Sequence, residues 1–363
     1  LSRWLYPSPQ PPYEEVETSG RMIPALTSGG FKVEYPAYGL QTAYRADVGS
    51  TGPRVVICAE MDALPGVGHA CGHNIIGTAA IGAGLALAPI AEELGIRVTV
   101  LGTPAEEHYG GKVDLIEAGA FEDAAASMMI HPSPRNVVDP IFLAIEHIDV
   151  EFHGKAAHAS GAPDQGLNAL DAAVQAYGNV AMLRQHILDN DRIHGIITKG
   201  GDAPNIVPDH TAMSWYVRSG TDERLDVLME KVLACFEAAA IATGCTHEVK
   251  KGGNRYKDLR SDAVMSRLFH ENAAALGRPV PYYADTDGKT SGSTDMGNVS
   301  YEVPSIHPML GLDCDPAVNH QREFAAATLT PKGKETIRDG ALAMAWTVVD
   351  LAEQGLWDQL KVE

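Results

Sequence analysis

Between Arg54 and Gly102 the chain spells strand, helix, strand with short links, and this restricts its fold more than any other feature. Arg54–Met61 (RVVICAEM) is a continuous apolar, β-branched run, the pattern of a strand covered on both faces. Asn74–Leu94, rich in Ala, Gly and Leu, predicts a long helix, and Ile96–Gly102 (IRVTVLG) predicts the next strand. Two strands joined through a helix in this way lie parallel, with a right-handed crossover. A short helix over Gly111–Glu117 and a strand over Ala124–Ile130 continue the alternation. The expected fold class is therefore α/β with a mainly parallel sheet, in which ligands bind beyond the carboxyl ends of the strands.

From Ala144 the order changes to strand Ala144–Phe152, helix Asn168–Leu188, strand Ile193–Lys199, strand Ala212–Arg218, helix Asp222–Thr243 and strand Cys245–Lys250. That βαββαβ order is the ferredoxin-like arrangement. It reads as a lid, residues 144–255, inserted into an outer domain made of residues 1–143 and 256–363. Helices over Ser261–Leu276 and Pro331–Gln354 complete the outer domain.

The polar segments that follow the first three strands carry the chemistry. Met61–Asn74 (MDALPGVGHACGHN) places Cys71 and His73 two residues apart, with Gly72 between them to let the backbone bend. Thiolate and imidazole both ligate borderline-soft divalent ions, although the pair alone also reads as a tight turn with a free cysteine. After the next strand, Glu106 and Glu107 stand side by side. Adjacent carboxylates repel, a cost easier to explain if one binds a cation and the other is kept for proton transfer; the plainer reading is an acidic helix start. His131, followed by Pro132, ends the third strand. Each group follows a successive strand, so all three loops open on one rim. Together they are the equipment of a metal hydrolase, in which a cation lowers the pKa of water to about 7 and polarises a carbonyl.

Composition narrows the partners. Lys and Arg total 28 against 47 Asp and Glu, a net charge of −19, which repels nucleic acid and anionic membrane surfaces. The apolar runs Val55–Ala59 and Ile75–Ala91 are expected to fall short of the roughly 20 apolar residues that span a bilayer. Five scattered cysteines, Cys58, Cys71, Cys235, Cys245 and Cys314, argue against a disulfide framework, so the cytoplasm is the expected location. The sequence opens at Leu1 rather than Met, and residues ahead of it are expected to have been removed. The Pro-rich opening lacks the basic-then-apolar order of a signal peptide.

The motifs MDALPGVGHACGHN, TPAEEHYGG, IHP at Ile130–Pro132, EFHGKAAHAS, APNIVPDHTAMSWYVRS, SGSTDMGNVS and VNHQREF occur in this order along nearly the whole chain. They resemble the zinc aminoacylase/carboxypeptidase family of metallopeptidases, in its amidohydrolase branch. Asn74 and Ser293-Thr294-Asp295 are more similar to the aminobenzoyl-glutamate hydrolase and β-alanyl-lysine dipeptidase sub-branch than to hydrolases of indole-acetyl amino acids. The resemblance implies a zinc-peptidase-like catalytic domain with a lid that also dimerises. It implies a divalent metal, two ions per subunit, with zinc first and manganese or cobalt as alternatives. The implied ligands are Cys71, His73, Glu107, His131 and His320, with Glu106 as general base. Asp62 resembles a carboxylate that orients a ligand, though Glu60 stands where dizinc relatives have a histidine, which leaves the division of ligands between two metals open. His158 resembles a histidine that reaches a dimer partner's active site to stabilise the oxyanion, and Asn205 and Arg218 resemble residues that hold the substrate carboxylate.

His307 is a candidate pocket residue or a structural histidine, His69 a turn residue near Cys71, and Cys58 core filling. The implied activity is hydrolysis of an amide or peptide bond in an N-acyl amino acid or dipeptide, by a homodimer without nucleic-acid or membrane partners. The alternative is a non-catalytic binding or scaffold relative, which would be expected to have lost the carboxylate pair Glu106–Glu107.

Overall fold

A computed structural model describes residues 1–288 and 292–362, so that Ser291 of the SGSTDMGNVS motif lies outside the described residues. The chain divides into two compact units, Leu1–Phe142 with Leu259–Glu363, and Leu143–Asp258. Strands β1 (Lys32–Glu34), β2 (Tyr44–Val48), β3 (Arg54–Glu60), β4 (Arg97–Thr103), β5 (Ala124–Met128) and β6 (His131–Ser133) precede the second unit. That unit holds β7 (Ala144–His153), β8 (Arg192–Lys199), β9 (His210–Ser219) and β10 (Thr246–Lys251), and β11 (Ser305–Ile306) and β12 (Met309–Gly311) follow it.

In the first unit a six-stranded sheet runs β1-β2-β4-β3-β5-β11. The centre is parallel, as expected, with β3 between β4 and β5 and with β11 beside β5. The β1 and β2 edge is antiparallel. All of β3 is buried, which is why its sequence shows no polar alternation. The helix His73–Leu87 packs on β3 and against the terminal helix Pro331–Glu353. Its small residues permit the approach: a Cβ on Gly77 would stand 2.9 Å from the Glu60 carbonyl oxygen.

The helix expected to reach Leu94 stops at Leu87, gives way to a 3₁₀ turn over Ala88–Ile90 and resumes over Ala91–Leu94, because Pro89 has no N–H to continue the helical ladder. Taken together, the 22 residues His73–Leu94 are long and apolar enough to cross a membrane by length and composition. This corrects the expectation that every apolar run falls short; most of the stretch is buried as a core helix. The strand expected over Ala124–Ile130 also divides. β5 ends at Met128, and β6 leaves the main sheet to pair in parallel with β12.

The second unit is an antiparallel sheet of order β10-β7-β9-β8. Ile148, Val150 and Phe152 of β7 and Met213, Trp215 and Val217 of β9 pack with the helices Ala169–Leu183 and Asp222–Thr243 in one core. The side-chain period of two then turns Asp149, Glu151 and His153, with their β9 neighbours Ser214, Ala212 and His210, to the other face. The first of these helices ends at Leu183 rather than Leu188, where a 3₁₀ turn over Arg184–His186 takes over.

Candidate metal centre

Every member of the expected ligand set belongs to the first unit. Gly72, at φ +89°, caps the helix that begins at His73, and a Cβ there would lie 2.3 Å from the Pro132 ring. Only glycine lets the loop close this far, and the Cys71 Sγ accordingly sits 3.4 Å from the His131 Nε2. His73 Nδ1 lies 3.0 Å from Asp62 Oδ1; a carboxylate only accepts, so the proton is on Nδ1 and Nε2 is presented to the site. His131 is oriented in the same sense, with Nδ1 donating to the Pro132 carbonyl at 2.7 Å.

Around His73 Nε2 stand Glu60 Oε2 at 3.3 Å, Glu106 Oε2 at 3.8 Å and Glu107 Oε1 at 3.8 Å. The turn that delivers the glutamates is strained: Ala105 adopts φ +60°, a left-handed conformation that costs a non-glycine residue on the order of 1–3 kcal/mol. It is held by Glu15, whose Oε1 accepts the Ala105 N–H at 2.9 Å, and by Asp62, whose Oδ2 accepts the Glu107 N–H at 3.0 Å. Asp62 therefore grips two candidate ligands at once. His320 is also left-handed, at φ +70°, with its N–H donated to the Ala70 carbonyl at 2.8 Å and its Nε2 3.6 Å from Glu107 Oε2.

The donor atoms fall into overlapping triads, Cys71/His73/His131 and Cys71/Glu107/His320, with members within 4.8 Å of one another. Glu60/His73/Glu106 form a third. Divalent metal fits these residues. The buried His73 Nε2, Glu107 Oε1 and Glu60 Oε2 have no hydrogen-bond partner among the described residues, a cost of about 1–3 kcal/mol each that a cation would remove. Thiolate with imidazoles and a carboxylate is a borderline-soft donor set, suited to zinc-class ions rather than to calcium or magnesium.

The protonation pattern agrees with this. Burial pushes Glu107 up to about 7. Burial, with the charges of Glu60 and Glu107 beside it, holds Glu106 well above the usual carboxylate range. Burial and Glu107 likewise raise the Cys71 thiol, and burial drives His131 down to about 4. For His73 burial acts downward, but Asp62 and Glu60 outweigh it and raise the imidazole well above its ordinary value. The upward shifts favour protons on Glu106, Glu107, Cys71 and His73 where positive charge is otherwise lacking, while His131 is held as the neutral imidazole a metal needs.

Local patterns did not mark Lys112 or Glu15. Lys112 is fully buried, with Nζ 2.6 Å from both Glu60 Oε1 and Asp295 Oδ1 and its N–H donated to Asp295 Oδ2 at 2.9 Å. Burial raises Glu60, but Lys112 outweighs it and the carboxyl ends below its ordinary range. His307 is fully buried, stacked on Phe142 at 5.0 Å and 7° and 5.4 Å from the His131 ring, so it packs behind that candidate ligand. His69 is buried as well, and burial pushes it down to about 4. Cys58 is core filling in β3. Asn74 donates to Ser2 Oγ at 3.0 Å and Thr328 Oγ1 at 3.1 Å, tying the helix start to two distant segments.

His158, Asn205 and Arg218 belong to the second unit. The exposed His158 accepts at Nδ1 from the N–H groups of Ser160, at 3.3 Å, and Gly161, at 3.0 Å, so its ring proton is on Nε2. The Ala159 N–H donates to the Asn205 carbonyl at 3.0 Å, joining the two loops. Arg218 is partly buried on β9, and burial lowers its pKa.

Residues 144–243 match the family model described as a peptidase dimerisation domain. The chain is 40% identical to the mouse Xaa-Arg dipeptidase over 97% of its own length and 84% of that protein's. It is 27% identical to a p-aminobenzoyl-glutamate hydrolase chain of Escherichia coli, over 83% of this chain and 77% of that protein. Its fold matches a Bacillus subtilis structure described as a dinuclear metal-binding peptidase of the M20 family, at a TM-score of 0.73 and 22% identity over 96% of each chain. With buried thiolate, imidazole and carboxylate donors converging beside a spare glutamate, and with identity at this level along nearly its whole length, the chain belongs to the M20 peptidase family, metal-dependent hydrolases of amide and peptide bonds.

Proposed function

We propose that this protein is a dinuclear zinc dipeptidase that removes a cationic carboxy-terminal residue, arginine foremost. The observation that carries the reading is the convergence of Cys71, His73, Glu107, His131 and His320 on one locus, buried except on the His320 side, with Glu106 at its edge. Cys71 is common to two donor triads, which supports room for a pair of ions that Cys71, His73, Glu107, His131 and His320 would hold. When bound, such ions supply a hydroxide-like water near neutral pH and polarise the scissile carbonyl. Glu106 takes the proton of the attacking water and delivers it to the leaving amine. Asp62 keeps the His73 proton on Nδ1 and the Glu107 backbone in place. Asn205 and Arg218 are assigned to the substrate carboxylate, and the Nε2–H of His158 to the carbonyl oxygen of the other subunit's substrate.

The cationic preference is supported by the likeness to Xaa-Arg dipeptidases and by the net charge of −19, which draws cations toward the protein. The five cysteines, all free, support a reducing, cytoplasmic setting. Release assays on Xaa-Arg, Xaa-Lys, Xaa-Ala, N-acetyl amino acids and aminobenzoyl-glutamate test the assignment. Xaa-Arg and Xaa-Lys are expected to lead in kcat/KM by about tenfold or more, since pairing a buried charge discriminates by more than one methylene does. A faster N-acetyl or aminobenzoyl substrate would overturn it.

A homodimer through the second unit goes with this reading. β8 is an edge strand, and exposed Ile196 and Ile197 on it lie beside Val174 and Tyr177 of the helix Ala169–Leu183, an apolar strip that pairing would cover. Mixing inactive Glu106→Gln and inactive His158→Ala proteins is expected to regenerate activity, because a hybrid dimer has one site with an intact base and an intact neighbouring histidine. Absence of recovery despite demonstrated subunit exchange would confine His158 to its own chain.

A further inference from the structure

The second unit carries a cluster of ligating side chains that the hydrolytic site does not use. Glu151 and His153 are two residues apart on β7 and therefore share a face, and His210 is the register partner of His153 on β9. This is the face away from the helices that pack on Val150, Phe152 and Met213. The two imidazoles stack with ring centroids 5.0 Å apart and planes 9° from parallel. Both point Nε2 at one atom: Glu151 Oε2 lies 2.9 Å from His210 Nε2 and 3.7 Å from His153 Nε2. The other oxygen, Oε1, is held by Lys250 at 3.0 Å, and Lys250 also reaches Glu248 at 3.3 Å.

We infer that Glu151, His153 and His210 form a second, separate binding site for a zinc-class divalent ion. The three donor atoms lie within 4.8 Å of one another, close enough for small rotations to bring them around one ion. Neighbouring strands supply the preorganisation: the spacing is set by the pleat and by a cross-strand pair rather than by a loop. Lys250 fixes the carboxylate through the oxygen that the ion does not need, as partners behind metal ligands commonly do. Two imidazoles and one carboxylate suit zinc, cobalt, nickel or copper and leave a fourth position for water. Side-chain exposures of 27% for Glu151, 32% for His210 and 46% for His153 give an ion a way in. Glu151 and Glu248 against Lys250 leave a net negative patch that attracts a dication.

The test uses the full chain with its hydrolytic centre already loaded, dialysed to equilibrium against micromolar free zinc. Wild type is expected to bind one equivalent per chain more than the His153→Ala/His210→Ala double variant, with circular dichroism confirming that both are folded. Glu151→Gln is expected to weaken the extra equivalent by about tenfold or more. Hydrolysis before zinc is added is expected to be the same in all three, since none of these residues belongs to the hydrolytic centre. Equal zinc uptake by wild type and the double variant overturns the inference, as does wild type taking nothing beyond its hydrolytic complement. The uptake difference is read whether or not a dipeptide is cleaved, so failure of the assigned activity stays distinct from failure of this site.

Discussion

Glu106→Gln should lower kcat by about 10²–10⁴ or more while the purified protein keeps its full metal content. Glutamine preserves the shape of the side chain and removes the acceptor of the proton, and Glu106 belongs to neither of the triads that share Cys71. Cys71→Ala is the contrasting variant. It deletes the donor common to both of those triads, so metal and activity should fall together, and adding zinc should restore neither fully. A chelator should abolish hydrolysis by the unaltered enzyme, and zinc or manganese should return it. Metal analysis beside the release assay separates these outcomes. If Glu106→Gln loses metal in step with activity, Glu106 is a ligand and Glu107 becomes the candidate base.

Lys112→Met should cost about 3–5 kcal/mol, because it leaves two carboxylates buried without their cation. Glu60 and Asp295 are both fully buried and both 2.6 Å from the Lys112 ammonium, so neither can turn to bulk water instead. In thermal unfolding the first unit should melt roughly 10 °C lower, or fail to accumulate at all. Adding Glu60→Gln and Asp295→Asn to Lys112→Met should recover much of the loss, since neutral amides do not carry the same desolvation penalty. A single Lys112→Met protein as stable as wild type would show that water or rearrangement already relieves the pair.

The contrast between Cys71 and Lys112 explains what was legible in the sequence. Cys71, His73, the two glutamates and His131 each lie in the stretch that follows a central strand, and strand ends are visible as the places where apolar runs stop. Parallel topology then forces those loops onto one rim. The sheet centre and the ferredoxin-like order of the second unit were readable for the same reason, as was the helix Asp222–Thr243. What local pattern missed depends on partners far along the chain. Lys112 is defined by Asp295, Glu15 by the strained peptide at Ala105, and His320 by Ala70 and Glu107; none of these pairings leaves a period or a spacing to find. His320 was reachable only through resemblance. The early end of the helix at Leu87 was legible in principle, since Pro89 was in view, but the apolar pattern ran on past it.

The first unit is written in two pieces, and this sets an order of events during synthesis. A ribosome delivers Cys71, His73, Glu106, Glu107 and His131 before it makes any of Leu143–Asp258, and delivers Asp295 and His320 only afterwards. At about 5–20 residues per second the continuous second unit has its whole sequence available while the first is still waiting. For that interval the nascent chain holds a thiol, two imidazoles and a lysine whose second carboxylate does not yet exist. Completion of the hydrolytic centre therefore waits on residue 320, and a message that stops between residues 258 and 320 yields a product with one finished unit and no complete site.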